Sequence, residues 1–338
     1  MEFWGFLIYT VISVSILFIL LCVSPHGTGP FAWLSRQIFI TLPAITEKIS
    51  IKLFGPMGSS KISYYFLYIF NKPNPSFQIV YLLLSLGGFT IYFFKGFAFV
   101  PNRYVPSIHI YTGTAFYMLC VTIFYLACTV SPGKIRPQNE EKYKKIFPYD
   151  EALYREVKCS TCDLVKPARS KHCSVCNICV AKFDHHCIWI NQCVGYGNYK
   201  WFLAFILSHS LLCMYGAQIG LLIFVHIIEK ERIMTTRFFD YLGNEVEWSW
   251  MTVIQYLLQR YPSWFFVVTL CFIMGLTLTG FFFYHLYLVY ENTTSNERAK
   301  RLDLAESPKY KHLAEKPNIY NKGFFKNIEE VICAKTFK

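Results

Sequence analysis

Long apolar runs separated by short charged segments dominate the chain. Five runs approach or exceed the roughly 20 apolar residues a helix needs to cross a bilayer: 3–23, 77–94, 108–130, 202–228 and 264–290. The pattern predicts an all-α polytopic membrane protein with about five transmembrane helices. Run 77–94 is the weakest, because it is short and Gly87 and Gly88 interrupt it. Run 3–23 has neither a basic leader nor a small-x-small cleavage site, so it reads as an uncleaved anchor rather than a signal peptide. The aromatic run 64–70, before "NKPNP", is too short to span and is expected along the cytosolic interface.

The polar segments between the runs alternate in sidedness. Segments 24–76, 131–199 and 291–338 hold 26 Lys and Arg, while 95–107 and 229–263 hold 6. Cytoplasmic segments carry the basic excess. The expected organisation is an N-terminal anchor (1–23) with a lumenal N-terminus, a cytosolic loop (24–76), two core helices (77–130), and a cytosolic cysteine-rich domain (131–199). Two more core helices (200–290) follow, joined by a lumenal loop (229–263), and then a cytosolic tail (291–338).

Composition agrees with a membrane protein. Of 338 residues 54% are apolar and 16% charged, where a soluble domain has about a quarter charged. The net charge of +12 would otherwise suggest nucleic acid; topology absorbs most of it, and no nucleic-acid partner is expected. The sequon "NTT" at Asn292 falls on the cytosolic side and should stay unmodified.

Seven of the thirteen Cys lie between Cys159 and Cys193, in C-x-x-C pairs interleaved with His. In a long chain this reads as metal binding in a reducing compartment, not as a disulfide framework. Cys22, Cys120, Cys128, Cys213 and Cys271 lie in or beside apolar runs, where Cys is a small hydrophobe; Cys333 is in the tail. Shifting the segment "CSTCDLVKPARSKHCSVCNICVAKFDHHCIWINQC" by 14 residues superposes Cys159 on Cys173, Cys162 on Cys176, His172 on His186 and Cys179 on Cys193. Each set is C-x2-C-x9-H-x6-C, three Cys and one His, which suits a tetrahedral structural zinc site. Two interlocked Zn2+ sites are the expectation, against a single site or an iron–sulfur cluster. Metal binding would then supply folding free energy to a segment with little apolar core.

The repeat leaves Asp184, His185 and Cys187 without a zinc role. A thiolate is the reactive form of Cys, a neighbouring His can take its proton, and a carboxylate can fix the His tautomer. A loop pinned by His186 and Cys193 could bring the three together; alternatively His185 is a surface residue and Cys187 a spare ligand.

"DHHC" at 184–187, with "KPARSKHCSVC" and "NQCVGYGNYKWF" around it, resembles the DHHC protein S-acyltransferases, or palmitoyltransferases. The resemblance covers at least 158–201. It implies that Cys187 is acylated, His185 is the base and Asp184 its partner, and that His172, His186 and the other six Cys hold zinc. The implied reaction is double displacement: Cys187 takes a long-chain acyl group from palmitoyl-CoA or a similar donor, and a protein cysteine then takes it from Cys187.

Departures are visible. "SPG" at 131–133 stands where the family has Asp-Pro-Gly, Ile188 replaces the usual Pro, and "TSNE" at 294–297 replaces Thr-Thr-x-Glu. Tyr320 and Asn327 sit at the characteristic positions of the family's C-terminal element. The family core has four spans, so 3–23 is additional. With the variant motifs it resembles the yeast endoplasmic-reticulum branch that acylates SNAREs and other membrane proteins with juxtamembrane cysteines.

The resemblance also places Lys166, Arg169 and Lys171 near the CoA head, where phosphate would pair with them; a generic basic face on anionic lipid is the alternative. Trp189 is expected beside the first acyl methylenes. Aromatic runs such as "GFFFYHLY" could line an acyl pocket, but ordinary helix packing explains them as well. His209, His226 and His285 are expected in packing or interfacial roles, rather than in ion transport. Two other classes stay open on residues alone: a membrane-anchored zinc module that only binds partners, and a transporter with a zinc domain.

Overall fold

The computed structural model describes residue 37 and residues 41–337, apart from 240–241, 247–248 and 336. The run 3–23 and its sidedness lie outside the described residues. In chain order the helices are α1 (Leu42–Asn71), α2 (Ser76–Ile91), α3 (Ile108–Thr129), α4 (Glu140–Ile146), α5 (Tyr199–Lys230), α6 (Trp250–Arg260), α7 (Pro262–Tyr290), α8 (Ser295–Glu306), α9 (Lys311–Ala314) and α10 (Phe324–Ile332). The chain divides into two units, one of residues up to Phe70 with Ile228–Phe265, the other of Asn71–Ile227 with Phe266–Lys338.

In the first unit, α1 kinks at Gly55, whose φ of +70° suits a residue without Cβ. The aromatic run 64–70 is thus the end of a 30-residue helix, not an isolated short segment. Further along, Ser249 and Thr252 form a capping box at the start of α6, and Tyr256 and Tyr261 both bond the Glu231 carboxylate.

Four described helices are long and apolar enough to cross a membrane: Ser76–Phe99, Ile108–Thr129, Tyr199–Lys230 and Pro262–Tyr290. The first is α2 continued through a widened turn (Tyr92–Gly96) and a tight one (Phe97–Phe99). Its 24 residues reach about 36 Å at 1.5 Å per residue, longer than the run 77–94 suggested. Gly87 and Gly88 do not break it. In an apolar medium every backbone N–H must bond within the segment, which favours the continuous helix. None of the described side chains of α2 is fully buried; one face is half-covered by contacts such as Phe89 stacked on Tyr117, and the rest of its apolar surface faces outward.

Polar side chains inside the second unit join the spans in pairs. Tyr81 on α2 bonds His209 on α5 at 2.5 Å, while Tyr199 on α5 bonds His285 on α7 at 2.9 Å. Ser210 on α5 bonds Thr279 on α7 at 2.6 Å. His209 and His285 are therefore interhelical ties, a common use of polar residues between membrane helices. Where α5 crosses α7, a Cβ on Gly220 would collide with the Val268 side chain, so only glycine permits that approach.

Between α3 and α5 the chain forms three small antiparallel hairpins: β1 (Lys158–Cys159) with β2 (Leu164–Val165), β3 (Lys171–Cys173) with β4 (Ile178–Val180), and β5 (His185–Cys187) with β6 (Gln192–Val194). Their registers repeat every 14 residues: Cys159 opposes Leu164, Cys173 opposes Ile178, and Cys187 opposes Gln192. Each turn holds one residue at positive φ (Asp163, Asn177, Asn191), short polar types that tolerate the left-handed region. The 14-residue repeat therefore continues into a third copy.

Candidate active site and metal centres

Neighbouring hairpins pair to supply two four-residue clusters, the first with the second and the second with the third. Cys159, Cys162, His172 and Cys179 form one; Cys173, Cys176, His186 and Cys193 form the other. Within each, all donor atoms lie within 4.8 Å of one another. From His172 Nδ1 the three Sγ atoms lie at 3.6, 3.3 and 3.8 Å. From His186 Nδ1 the corresponding distances are 3.7, 3.3 and 3.8 Å. A tetrahedral Zn2+ with bonds of about 2.3 Å to S and 2.0 Å to N has S···N edges of about 3.5–3.6 Å. The donor sets fit that ion in number, type and spacing.

In the third copy Ile190 stands where Cys162 and Cys176 stand, and Lys200 where His172 and His186 stand. Cys187 thus occupies a ligand position whose partners are gone. Strand β5 then sorts the motif by its two-residue alternation: His185 and Cys187 share one face, and His186 turns to the other, toward Cys173 and Cys176. Asp184, just before the strand, is buried; its Oδ2 lies 2.7 Å from His185 Nδ1. That leaves the other ring nitrogen of His185 for the Cys187 thiol, which shares its face of the strand.

Three influences act on these groups. Burial alone would raise the Asp184 carboxyl, but the His185 hydrogen bond and charge, with the Ser295 N–H, hold it below its ordinary value. Burial likewise opposes the charged form of His185; bonds to Asp184 and Cys187 outweigh it and push the imidazole up to about 10. Burial would raise the Cys187 thiol, yet His185 and the backbone N–H groups of Ile190 and Trp189 lower it. The arrangement favours a thiolate–imidazolium pair. Around it, Cys187 is packed with Phe124, Ala127, Ile190, Val194, Phe202 and Ile206, and Phe202 meets the His185 ring edge-on at 5.1 Å.

The second Asp184 oxygen accepts from Ser295 N–H at 2.7 Å. Ser295 opens α8, whose N-terminus is fixed by a capping box between Thr294 and Glu297. Arg169 grips both Glu297 oxygens at 2.7 Å and bonds the Asn292 side chain and carbonyl at 2.9 and 2.8 Å. Its guanidinium is fully buried and lies 4.4 Å from the centre of the Tyr320 ring. The expectation of a CoA contact is corrected for Arg169: its donors are taken up by Glu297 and Asn292 inside the protein. Asn292, the sequon residue, is 2% exposed in the same network. Tyr320 donates to Pro148 O, and Asn327 bonds Tyr290 O and the Asn292 amide, so the C-terminal element closes the network.

Lys171 is exposed and bonds Asn296 Oδ1 at 3.1 Å. Lys166 borders a cleft of about 100 Å³ with Tyr154, Arg155, Ser170 and Lys300. Burial, followed by Glu297 acting the other way and then the charges of Lys171 and Lys166, leaves the Lys300 ammonium below its ordinary value. Lys300 was not singled out from sequence; its place in a helix of mixed charge carried no signal. Trp189 is 42% exposed and packs edge-on against Phe77, at the start of α2, with ring centres 5.5 Å apart. Ser131 keeps a local role only, its Oγ accepting from Gly133 N–H at 3.4 Å. Ile188 begins the β5–β6 turn, and its carbonyl accepts from Asn191 N–H.

Residues 153–302 match the family model of the DHHC palmitoyltransferase domain. The chain is similar to palmitoyltransferase ZDHHC4 of Bos taurus, 30% identical over 278 residues that cover 80% of this chain and 81% of that protein. It is also similar to palmitoyltransferase SWF1 of Neurospora crassa (31% identical, 81% and 65% covered) and palmitoyltransferase swf1 of Schizosaccharomyces pombe (30%, 85% and 74%).

Proposed function

This chain belongs to the DHHC palmitoyltransferase family, and from that premise we propose that Cys187 is its acyl carrier, with His185 as base and Asp184 as the group that orients it. The chain is a multi-pass membrane enzyme, a protein S-acyltransferase that takes its acyl group from acyl-CoA. The readings as a passive zinc module or a transporter fall with that assignment. The observation that carries the residue roles is the sorting by strand β5: His185 and Cys187 on one face, His186 on the other.

In the proposed sequence the Cys187 thiolate attacks the donor carbonyl and CoA leaves as a thiolate, which takes a proton from the His185 imidazolium. An acceptor cysteine then gives its proton to His185, attacks the Cys187 thioester and leaves with the acyl group. One thioester bond breaks and one forms in each step, so the exchange is nearly balanced and requires no nucleotide. Asp184 keeps the His185 proton on Nδ1 and stabilises the imidazolium. The eight Cys and His residues of the two clusters would hold two structural Zn2+ ions, which supply rigidity to the hairpins and no step of the chemistry.

The apolar residues around Cys187 would receive the proximal acyl chain beside Trp189, and the four described spans the rest. At about 0.8 kcal/mol per buried CH2, a C16 chain gains about 10 kcal/mol by staying out of water. The CoA phosphates would sit by Lys166, Lys171 and Lys300, whose mutual repulsion an anion relieves. Replacing Lys300 with Ala should raise the KM for acyl-CoA several-fold and leave acyl-enzyme formation at saturating donor within twofold. An unchanged KM would remove these cations from the donor site.

The cysteine-rich hairpins and the tail would face the cytosol, which carries the basic excess, and the acceptors would be juxtamembrane cysteines, SNAREs among them, at the endoplasmic reticulum. Thioester-linked acyl proteomics comparing wild-type cells with Cys187→Ser cells tests this. SNAREs should lose label in the variant; a depleted set without membrane proteins would refute the acceptor assignment.

A further inference from the structure

We propose that Gln192 is a positioning residue that sets the height of the Cys187 thiol against the helix bundle, and so couples acyl transfer to the length of the acyl chain. The inference rests on Cys187 being the acyl carrier. Gln192 is the direct ladder partner of Cys187. The same ladder position in the first two hairpins holds Leu164 and Ile178, apolar residues that pack. In the third hairpin it holds an amide, and that amide leaves the hairpin altogether: Gln192 Nε2 donates to Ala127 O at 2.5 Å and Val130 O at 3.2 Å.

Those carbonyls are at the C-terminal end of α3, where the last turn of a helix lacks intrahelical donors. Ala127 and, one turn earlier, Phe124 pack in the same apolar cluster as Cys187. One side chain therefore ties the strand of the nucleophile to the helix that lines the acyl environment. The two residues before it attach instead to α2 and the chain entering it: Asn191 Oδ1 accepts from Asn74 N–H at 3.1 Å, and Ile190 O accepts from Gln78 Nε2 at 3.2 Å. Only Gln192 is both opposite Cys187 and bonded to α3.

A long acyl chain seated among the spans fixes the position of its own carbonyl. If the hairpin shifts by an ångström, the thiol and that carbonyl no longer meet, and such misplacement costs up to about a hundredfold in rate. A four-carbon chain is not seated deeply and can follow the thiol. Loss of the Gln192 bonds should therefore penalise long donors selectively, which a general loss of folding or of thiol reactivity would not do.

The test uses the full-length protein in detergent and single-turnover acylation with hexadecanoyl-CoA and butyryl-CoA. Gln192→Met keeps the side-chain length and removes the donors. Its acyl-enzyme formation should fall at least tenfold with hexadecanoyl-CoA and less than threefold with butyryl-CoA, at wild-type zinc content. Equal losses with both donors, or no loss with either, would overturn the proposal. If Gln192→Met loses zinc, Gln192→Asn keeps the amide one methylene short of α3, and the same selective loss is expected and the same equal losses would overturn the proposal. Cys187→Ser is run alongside; a hydroxylamine-labile adduct in that variant would overturn the carrier assignment itself, whatever Gln192 shows.

Discussion

Cys187→Ser is expected to abolish the hydroxylamine-labile acyl adduct and all transfer to acceptors while the protein keeps two zinc ions per chain. The two halves of that result come from different parts of one strand. Cys187 lies on the His185 face of β5, with Ile190 and Lys200 at the places where its copies in the earlier hairpins have metal-binding partners. Removing its sulfur should cost no metal. Cys176→Ser, by contrast, removes a donor from a complete set and should lower the zinc content with loss of the folded hairpins, since structural zinc contributes on the order of 10 kcal/mol of apparent folding free energy. Elemental analysis and acyl labelling on the same samples decide it. Zinc halved in Cys187→Ser with acylation persisting would make Cys187 a ligand.

The same variant series carries a pH signature. The Cys187 pKa is lowered and that of His185 is raised to about 10. The thiolate is therefore present above the lowered thiol value and lost as pH falls through it; the imidazolium charge is lost as pH rises through about 10. Alkylation of Cys187 by iodoacetamide should rise less steeply between about pH 7 and 8.5 than that of an ordinary thiol, which has a pKa near 8.5 and gains about tenfold per unit at first. His185→Ala should restore that rise. A wild-type profile as steep as that of an ordinary thiol would mean that the pair does not form.

What could be read from the sequence followed from how strictly its chemistry constrains spacing. Metal donors must converge on one point, so the 14-residue offset separated His186 from His185 without any coordinates. Matching by ligand type also hid something: the third copy was missed because Ile190 and Lys200 had replaced donors, although the turn residues Asp163, Asn177 and Asn191 continue the period. Contacts made by the backbone left no trace at all. Ser295 reaches Asp184 through its N–H across 111 residues of sequence, and any residue but proline would supply that group. Arg169 shows a third limit. A cation between zinc ligands looks the same in sequence whether it faces a phosphate outside or a carboxylate inside, and only the placement of Glu297 decides.

Arg169→Ala is expected to be the most destabilising single change outside the zinc ligands. It would leave the Glu297 carboxylate, 3% exposed in its side chain, without the partner that holds both its oxygens. Breaking a buried pair from one side costs about 3–5 kcal/mol, a large share of a net stability of about 5–15 kcal/mol. A thermal melt of the solubilised protein should fall markedly, and Glu297→Ala should do much the same from the other side. The double replacement Arg169→Met with Glu297→Met should recover most of the melting temperature, because a packed apolar pair often equals a buried ion pair in stability. Activity should not recover with it. The capping box needs the Glu297 carboxylate to accept from Thr294 N–H, and α8 presents Ser295 N–H to Asp184 only while its first turn is held. Acyl-enzyme formation in the double variant should stay ten- to a hundredfold below wild type at restored stability. Full activity there would reduce Arg169 and Glu297 to packing and detach α8 from the orientation of His185.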